Sequence, residues 1–293
     1  MNTLLFTFAF SLEELSFTQN GCIPVISTTY SELGMKLQSS CPVCLKEFIT
    51  NQMIGTSESS LPMITNLSSV GFREDGRYEM TCLKGHTSIT FLQQQKFEIL
   101  FDIGAYAIID GYYREAVSSF TSSLERFYEF FIKVVCISKG ISESKVVEAW
   151  KEVSNQSERQ LGAFIFLHLL ELGCKPTLLN NNKIKFRNGV IHKGMIPSEE
   201  QALEYGQAVL DVIRPLLKIL KENYSEAIST AVFQYLNSIR NPSDDGVPVS
   251  TMCLTTILSL SYAEPAHETQ SLSEAISQLK NWKSIVENTV FPE

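Results

Sequence analysis

The sequence predicts a mainly α-helical protein that begins with a small β-rich region. From about residue 91 onward, apolar residues recur three or four positions apart, which is the spacing of one helix face. Before that point the chain is rich in Ser, Thr, aromatic and β-branched residues and is broken by turn pairs such as Asn20-Gly21, which favours short strands. The predicted regions are residues 1–90, which are β-rich, residues 91–224, which form a helical domain, and residues 225–293, a C-terminal helical extension.

The composition is that of a globular protein with an acidic balance. The 293 residues are 44% hydrophobic and 19% charged, so the chain is long enough to bury a sizeable core. A net charge of −8 argues against a protein that coats nucleic acid over its whole surface, because such binding depends on many Lys and Arg contacts. Any contact with RNA must therefore be local.

The sequence shows no export or membrane segment. Residues 4–10 are apolar but have no basic stretch before them, so they are predicted to form a strand, as are residues 23–30. The longest apolar run elsewhere, residues 161–170, is too short to span a bilayer. These features predict a cytoplasmic protein with no membrane association. Its seven cysteines, an odd number, indicate reduced thiols and metal ligands rather than a disulfide framework.

Two groups of metal-ligand residues lie in the β-rich region. Cys41 and Cys44 have the spacing of a tight knuckle that contains Pro42, and Cys82 and His86 supply two more ligands. The arrangement resembles a zinc ribbon, and four protein ligands would leave a single zinc ion no open position, so the ion would be structural. The alternative is a pair of buried free cysteines with an unrelated Cys and His. Cys22 is a candidate substitute ligand, and the remaining cysteines are predicted to lie in the core: Cys136, Cys174 and Cys253.

The helical region is predicted to begin with two long amphipathic helices packed as a hairpin, at about residues 91–109 and 113–139. A short helix follows Ser142, and another covers about residues 157–172 and ends near Gly173. A helix that ends at Gly194 and a helix capped by Ser198 and Gln201 come next. Residues 225–293 are expected to add three more helices.

Three residues with complementary chemistry lie in the helix that ends at Gly194. Arg187 presents a planar fork of donors suited to a phosphate, and His192 can give or take a proton near neutral pH. Asn188 and His192 are four residues apart, so a helix places them on one face, whereas Arg187 lies about 140° around the helix from His192. Arg187 can join them only at a helix start or by reaching a shared site.

This Arg-Asn-x-x-x-His pattern resembles the Arg-x(4–6)-His motif of the HEPN superfamily, helical proteins whose active members are metal-independent ribonucleases. The resemblance covers about residues 91–224 and implies a HEPN-like helical bundle. It also implies a homodimer that brings two motifs into one cleft, and a toxin or antiviral effector controlled by an antitoxin or a sensor protein.

The same resemblance implies an endoribonuclease that needs no catalytic metal. His192 would act as general base or acid, Arg187 would stabilise charge on the scissile phosphate, and Asn188 would hold the imidazole or a phosphate oxygen. Attack by the ribose 2′-hydroxyl would leave a 2′,3′-cyclic phosphate and would make DNA inert.

Basic residues surround the motif without any acidic residue among them. Lys183, Lys185 and Lys193 are therefore candidates for binding RNA, and the alternative is a solvated basic segment. Two polar interruptions of apolar helix faces, Glu125-Arg126 and residues 157–160, either line the same cleft or are ordinary surface groups.

Two other functions fit parts of the sequence. One is a non-catalytic HEPN-like module that binds RNA, a nucleotide or a protein, with the zinc region as a docking surface. The other is a zinc-ribbon DNA-binding regulator, which the acidic balance and the lack of a basic recognition helix disfavour.

Overall fold

The computed structural model describes residues 29–31, 34–53, 67–241, 244, 246–261 and 269–290. The predicted strand at residues 4–10, Cys22 and most of residues 23–30 lie outside this part of the chain. The prediction of a mainly α protein is confirmed, because the described residues contain nine helices and six strands. Within the same residues, no helix combines the length and the apolar character that a membrane span requires.

The strands are β1 (Thr29–Ser31), β2 (Gly34–Ser40), β3 (Leu67–Gly71), β4 (Arg77–Thr81), β5 (Thr87–Leu92) and β6 (Val249–Met252). The helices are α1 (Pro42–Met53), α2 (Lys96–Ile109), α3 (Tyr113–Ser138), α4 (Glu143–Val153), α5 (Ser157–Leu172), α6 (Asn181–Lys193), α7 (Glu199–Asn223), α8 (Ser225–Ser238) and α9 (Leu272–Val290).

The chain divides into two compact units. The first, here called the sheet unit, comprises Met1–Gln94, Gln234–Thr255 and Trp282–Glu293. The second, the helical unit, comprises Gln95–Phe233 and Thr256–Asn281. The chain after residue 224 therefore contributes to both units.

The sheet unit contains two three-stranded sheets. In one, β2 pairs antiparallel with both β1 and β3. In the other, β5 pairs antiparallel with β4 and parallel with β6, with Ile89 opposite Val249. The sequence prediction placed only helices after residue 224, and β6 was missed because its four residues are too few to show a strand period.

The helical unit is built around the α2–α3 hairpin. Its core is rich in aromatic side chains, with the Phe97 and Phe127 rings 5.2 Å apart in an edge-to-face arrangement. Phe120 lies against Gly104 of α2 and Gly206 of α7, where a Cβ atom would come within 2.6 Å of its ring. These two glycines therefore let α2 and α7 approach α3 closely.

Most predicted helix ends are confirmed. Gly173 and Gly194 end α5 and α6 with φ angles of 71° and 70°, the left-handed conformation that glycine adopts without strain. Ser198 and Gln201 form the predicted capping box at the start of α7. The first long helix begins at Lys96 rather than near residue 91, because Phe91 and Leu92 belong to β5.

Two buried carboxylates of α2 hold the segment that precedes α9. Asp102 accepts a hydrogen bond from the backbone N–H of Ile257 at 3.0 Å, and Glu98 accepts one from Leu260 at 2.9 Å. Burial raises the pKa of Glu98 to about 8 and that of Asp102 to about 7. These two carboxylates thus hold the segment in place within the helical unit, and no sequence motif predicted this role.

Candidate functional site

The four predicted metal ligands come together in the sheet unit. Cys41 immediately precedes α1 and Cys44 lies in its first turn, while Cys82 and His86 flank the turn between β4 and β5. Gly85 allows that turn with a φ of 82°, and the backbone N–H of Cys82 donates to the carbonyl of His86 at 3.0 Å. The first ligand pair differs from the predicted knuckle, because Pro42 starts a helix there.

The distances between the ligand atoms match those of a four-coordinate ion. Cys44 Sγ lies 3.8 Å from Cys82 Sγ and 3.3 Å from His86 Nδ1. His86 Nδ1 is also 3.7 Å from Cys82 Sγ and 3.9 Å from Cys41 Sγ. A tetrahedral zinc ion with bonds of about 2.3 Å to sulfur and about 2.0 Å to nitrogen would separate its sulfurs by about 3.8 Å and hold its nitrogen about 3.5 Å from each sulfur.

The surroundings of the cluster also suit a cation. All three cysteines are buried, and burial together with hydrogen bonds to the other two thiols raises the pKa of Cys44 to about 12. For Cys82 burial acts in the same direction, but hydrogen bonds from the backbone of His86 and Lys84 outweigh it and lower the pKa to about 7. Adjacent thiolates repel one another, and a bound cation would stabilise them. His86 Nε2 lies 3.9 Å from a carboxylate oxygen of Glu47, the kind of outer partner that orients a ligating imidazole. The cluster could therefore hold a metal ion.

The Arg187 motif lies on α6, which is anchored at both ends. Asn180 accepts a hydrogen bond from the backbone N–H of Lys183 at 3.0 Å, and Gly194 ends the helix. Val190 is fully buried, and the ring of Phe186 lies 5.7 Å from the ring of Tyr205 on α7. The side of α6 that bears Phe186 and Val190 thus packs on the core of the helical unit.

The three motif residues differ in exposure. Arg187 and Asn188 are half-buried, and His192 is exposed. Because α6 is helical from Asn181 to Lys193, Asn188 and His192 share a face, whereas Arg187 lies about 140° from His192 around the axis. Within one copy of the chain, Asn188 and His192 therefore lie on the same face of α6, whereas Arg187 lies on another.

None of these three side chains makes a hydrogen bond or an ion pair with another described residue. Other arginines of the helical unit are engaged: Arg126 pairs with Glu129 and donates to Gln160 at 3.1 Å, and Arg214 donates to the carbonyl of Gln270 at 2.8 Å. A half-buried guanidinium normally finds such partners. The donors of Arg187 are thus unused within the described part of the chain.

The predicted basic residues are placed unequally. Lys183 is half-buried and pairs with Glu204 of α7 at 2.9 Å, which ties it to the scaffold. Lys185 and Lys193 are exposed. The two exposed lysines are therefore better placed than Lys183 to meet a large anion.

The structure adds two residues to the surroundings of Arg187 that the motif did not identify as partners. Burial raises the pKa of Glu125 on α3, and the charge of Arg187 opposes that rise. Burial likewise raises the pKa of Tyr205, again opposed by Arg187. In the sequence, Glu125 was indicated only as a polar interruption of an apolar helix face.

No protein-family model matches the chain, and no curated protein or solved structure shows a significant similarity to it.

Proposed function

We propose that this protein is a metal-independent endoribonuclease of the HEPN type. The observation that carries the proposal is the set of unengaged groups on α6: an arginine, an amide and an imidazole on one anchored helix, without a hydrogen-bond partner among the described residues. Groups that stabilise a fold are normally paired within it. Unengaged donors beside a titratable group suit a phosphate ligand and proton transfer.

The chemistry follows from the residue types. His192 would take the proton of the ribose 2′-hydroxyl or protonate the leaving 5′-oxygen, each role typically contributing about a hundred- to ten-thousand-fold in rate. The guanidinium of Arg187 would stabilise the charge that develops on the scissile phosphate. Asn188 shares a helix face with His192 and would orient the imidazole or a phosphate oxygen. The product would carry a 2′,3′-cyclic phosphate.

The placement of Arg187 and His192 favours a site shared by two copies. The two side chains leave α6 in directions about 140° apart, so one phosphate does not easily meet both in a single chain. In a symmetric dimer, Arg187 of one copy would meet His192 of the other, and each dimer would contain two such sites. The family resemblance implies the same homodimer, and a biological role as a toxin or antiviral effector held in check by an antitoxin or sensor.

We also propose that the cysteine–histidine cluster binds one structural zinc ion. The ligand set of three thiolates and one imidazole is typical of closed zinc sites, and the interatomic distances fit it. Four protein ligands leave no position for a substrate, so the ion would stabilise the junction of α1 with the β4–β5 turn. Thiolate ligands also fit the reducing cytoplasm predicted from the sequence.

The direct test of activity is cleavage of total RNA and of purified tRNA by the native protein in the presence of EDTA. The His192→Ala variant provides the comparison, and melting curves of both proteins in EDTA show whether the fold persists without free metal. Cleavage products are analysed for cyclic phosphate ends, and a DNA oligonucleotide of matched sequence serves as a substrate control.

Cleavage of RNA but not DNA by the native protein, with cyclic phosphate ends and a loss of at least about 100-fold in His192→Ala, is the expected result. Equal cleavage by the native and variant proteins would refute a role for this motif. Binding of RNA without cleavage would instead support the non-catalytic module.

A further inference from the structure

The packing of three helices places a second charged residue beside Arg187. The hydroxyl of Tyr205 on α7 lies 2.8 Å from the hydroxyl of Thr121 on α3, while its ring packs on Phe186 of α6. Glu125 follows Thr121 by one helical turn on the same face of α3, and Arg187 follows Phe186 directly. The crossing at Tyr205 therefore brings Glu125 and Arg187 into one neighbourhood.

Glu125 and Arg187 have opposite charges, and both are half-buried. Neither side chain forms a hydrogen bond or an ion pair with any described residue, although the charge of Arg187 acts on the carboxyl group of Glu125 and lowers its pKa against the larger rise caused by burial. Among the described residues, Arg126 also acts electrostatically on Glu125, but its guanidinium is held by Glu129 and Gln160. A partly buried carboxylate without a direct partner costs free energy, and a group kept at such a cost is a candidate for a functional role.

We propose that Glu125 is a positioning residue for the active site, whose carboxylate orients the guanidinium of Arg187 from the side of α3. This inference rests on the proposed ribonuclease function. With the carboxylate behind it, the guanidinium keeps its remaining donors for the scissile phosphate in one orientation. Because the carboxylate and the phosphate compete for the same guanidinium, the carboxylate favours orientation over tight binding of RNA.

This role predicts opposite effects on turnover and binding. In Glu125→Gln the side chain keeps its shape but loses its charge, so Arg187 binds phosphate without being oriented. We expect kcat to fall by about 10- to 100-fold, while KM for an RNA oligonucleotide stays the same or falls. Glu115→Gln is the control, because Glu115 lies on the same helix but pairs with Arg114 instead. It should leave both constants unchanged.

A binding measurement tests the coupling without relying on turnover. In a His192→Ala background, Glu125→Gln should tighten binding of the same oligonucleotide by about two- to fivefold, the size of a partly exposed charge interaction. When Arg187→Gln is added, Glu125→Gln should have no effect, because the carboxylate then has no guanidinium to compete for. Melting curves of every variant accompany both experiments. If Glu125→Gln does not fold, Glu125→Asp is used instead. This variant retains the charge, so it should retain more than half of the native kcat.

The outcomes separate this inference from the proposed function. Cleavage by the native protein with unchanged constants in Glu125→Gln would overturn the role of Glu125 alone. An equal effect on RNA binding with and without Arg187 would also overturn it, because the carboxylate would then act independently of the arginine. Failure of the native protein to cleave RNA would remove the proposed function and this inference together.

Discussion

At the scale of single residues, two histidines of the helical unit differ in whether the fold satisfies their hydrogen-bonding groups. His168, in the middle of an apolar run, is 4% exposed, and its Nδ1 lies 2.9 Å from the carbonyl oxygen of Cys174. It is therefore a hydrogen-bonded core histidine. His192 is exposed and makes no such bond with the described residues. Both imidazoles can exchange a proton, but only that of His192 is exposed and without a hydrogen bond to the described residues.

Gly206 provides a residue-scale test of the packing around Phe120. An added Cβ would lie 2.5 Å from Leu272 and 2.6 Å from Phe120, so Gly206→Ala should destabilise the helical unit by about 1–3 kcal/mol. Gly162→Ala on α5 is the control, because its Cβ would meet no atom within 4 Å and should stabilise the helix by about 0.5–1 kcal/mol. Urea unfolding measures both changes, and equal stabilities of the two variants would contradict the packing.

Asp102 provides a test through pH. Its pKa in the folded protein is about 7, above the ordinary value of 3.8, because the side chain is buried. Between roughly pH 4 and pH 7, Asp102 is protonated in the folded protein but ionised in the unfolded chain. Its contribution to the free energy of unfolding therefore falls as the pH rises through this range. Melting temperatures measured from pH 5 to pH 8 should therefore decline, and the decline should be smaller in Asp102→Asn, which keeps an acceptor for Ile257. An identical decline in both proteins would show that Asp102 does not titrate in this range.

At the scale of elements, helix starts and ends follow from local sequence, whereas contacts between distant segments do not. Gly173, Gly194 and the Ser198 box were predictable because one or two residues determine the backbone geometry at a helix end. The strand β6 and its pairing with β5 join residues 160 positions apart, as in the hydrogen bond between Thr90 and Ser250. Cys174 was predicted to lie in the core but is exposed, because α5 ends just before it.

For the candidate sites, too, local sequence predicted some features, whereas contacts between distant segments determined others. The residue types and spacing of Cys41, Cys44, Cys82 and His86 were sufficient to predict that they meet, since their chemistry is specific. The neighbourhood of Arg187 was not predictable, because it depends on how α3, α6 and α7 cross. Periodicity identifies the buried face of each helix, but it does not determine which turn of one helix meets which turn of another.

The cysteine–histidine cluster is tested at this scale because it joins α1 to the β4–β5 turn. Cys82→Ser should lose one bound zinc ion per chain and destabilise the sheet unit by more than the roughly 0.5–3 kcal/mol typical of point variants. Cys174→Ser, which replaces an exposed thiol outside the cluster, should retain the metal and the melting temperature. Metal analysis of the native protein that finds no zinc would refute the proposal.

At the scale of the whole molecule, an acidic chain would act on an acidic polymer through a local set of basic groups. The net charge is −8, and the exposed cations of α6 include Lys185 and Lys193. Few phosphate contacts imply a shallow dependence of RNA binding on salt. Recognition would therefore depend on the shape of the cleft between two copies more than on long-range attraction.

Lys185 tests this local recognition. Lys185→Ala should weaken RNA binding by His192→Ala protein and reduce the salt slope by about one unit, because one phosphate contact is lost. Lys183→Ala should have a smaller effect on binding, since that ammonium already pairs with Glu204. Filter binding at several salt concentrations measures both, and equal effects of the two substitutions would contradict the assignment.

The measurement that tests the shared active site most directly is a mixing experiment. Arg187→Ala and His192→Ala should each be inactive alone, because every site of either homodimer lacks one essential group. After the two are mixed in equal amounts and allowed to exchange subunits, half of the dimers would contain one intact site, so about a quarter of native activity should return. Exchange is monitored with differently tagged chains. Complete exchange without any return of RNA cleavage would contradict a site built from Arg187 of one copy and His192 of the other.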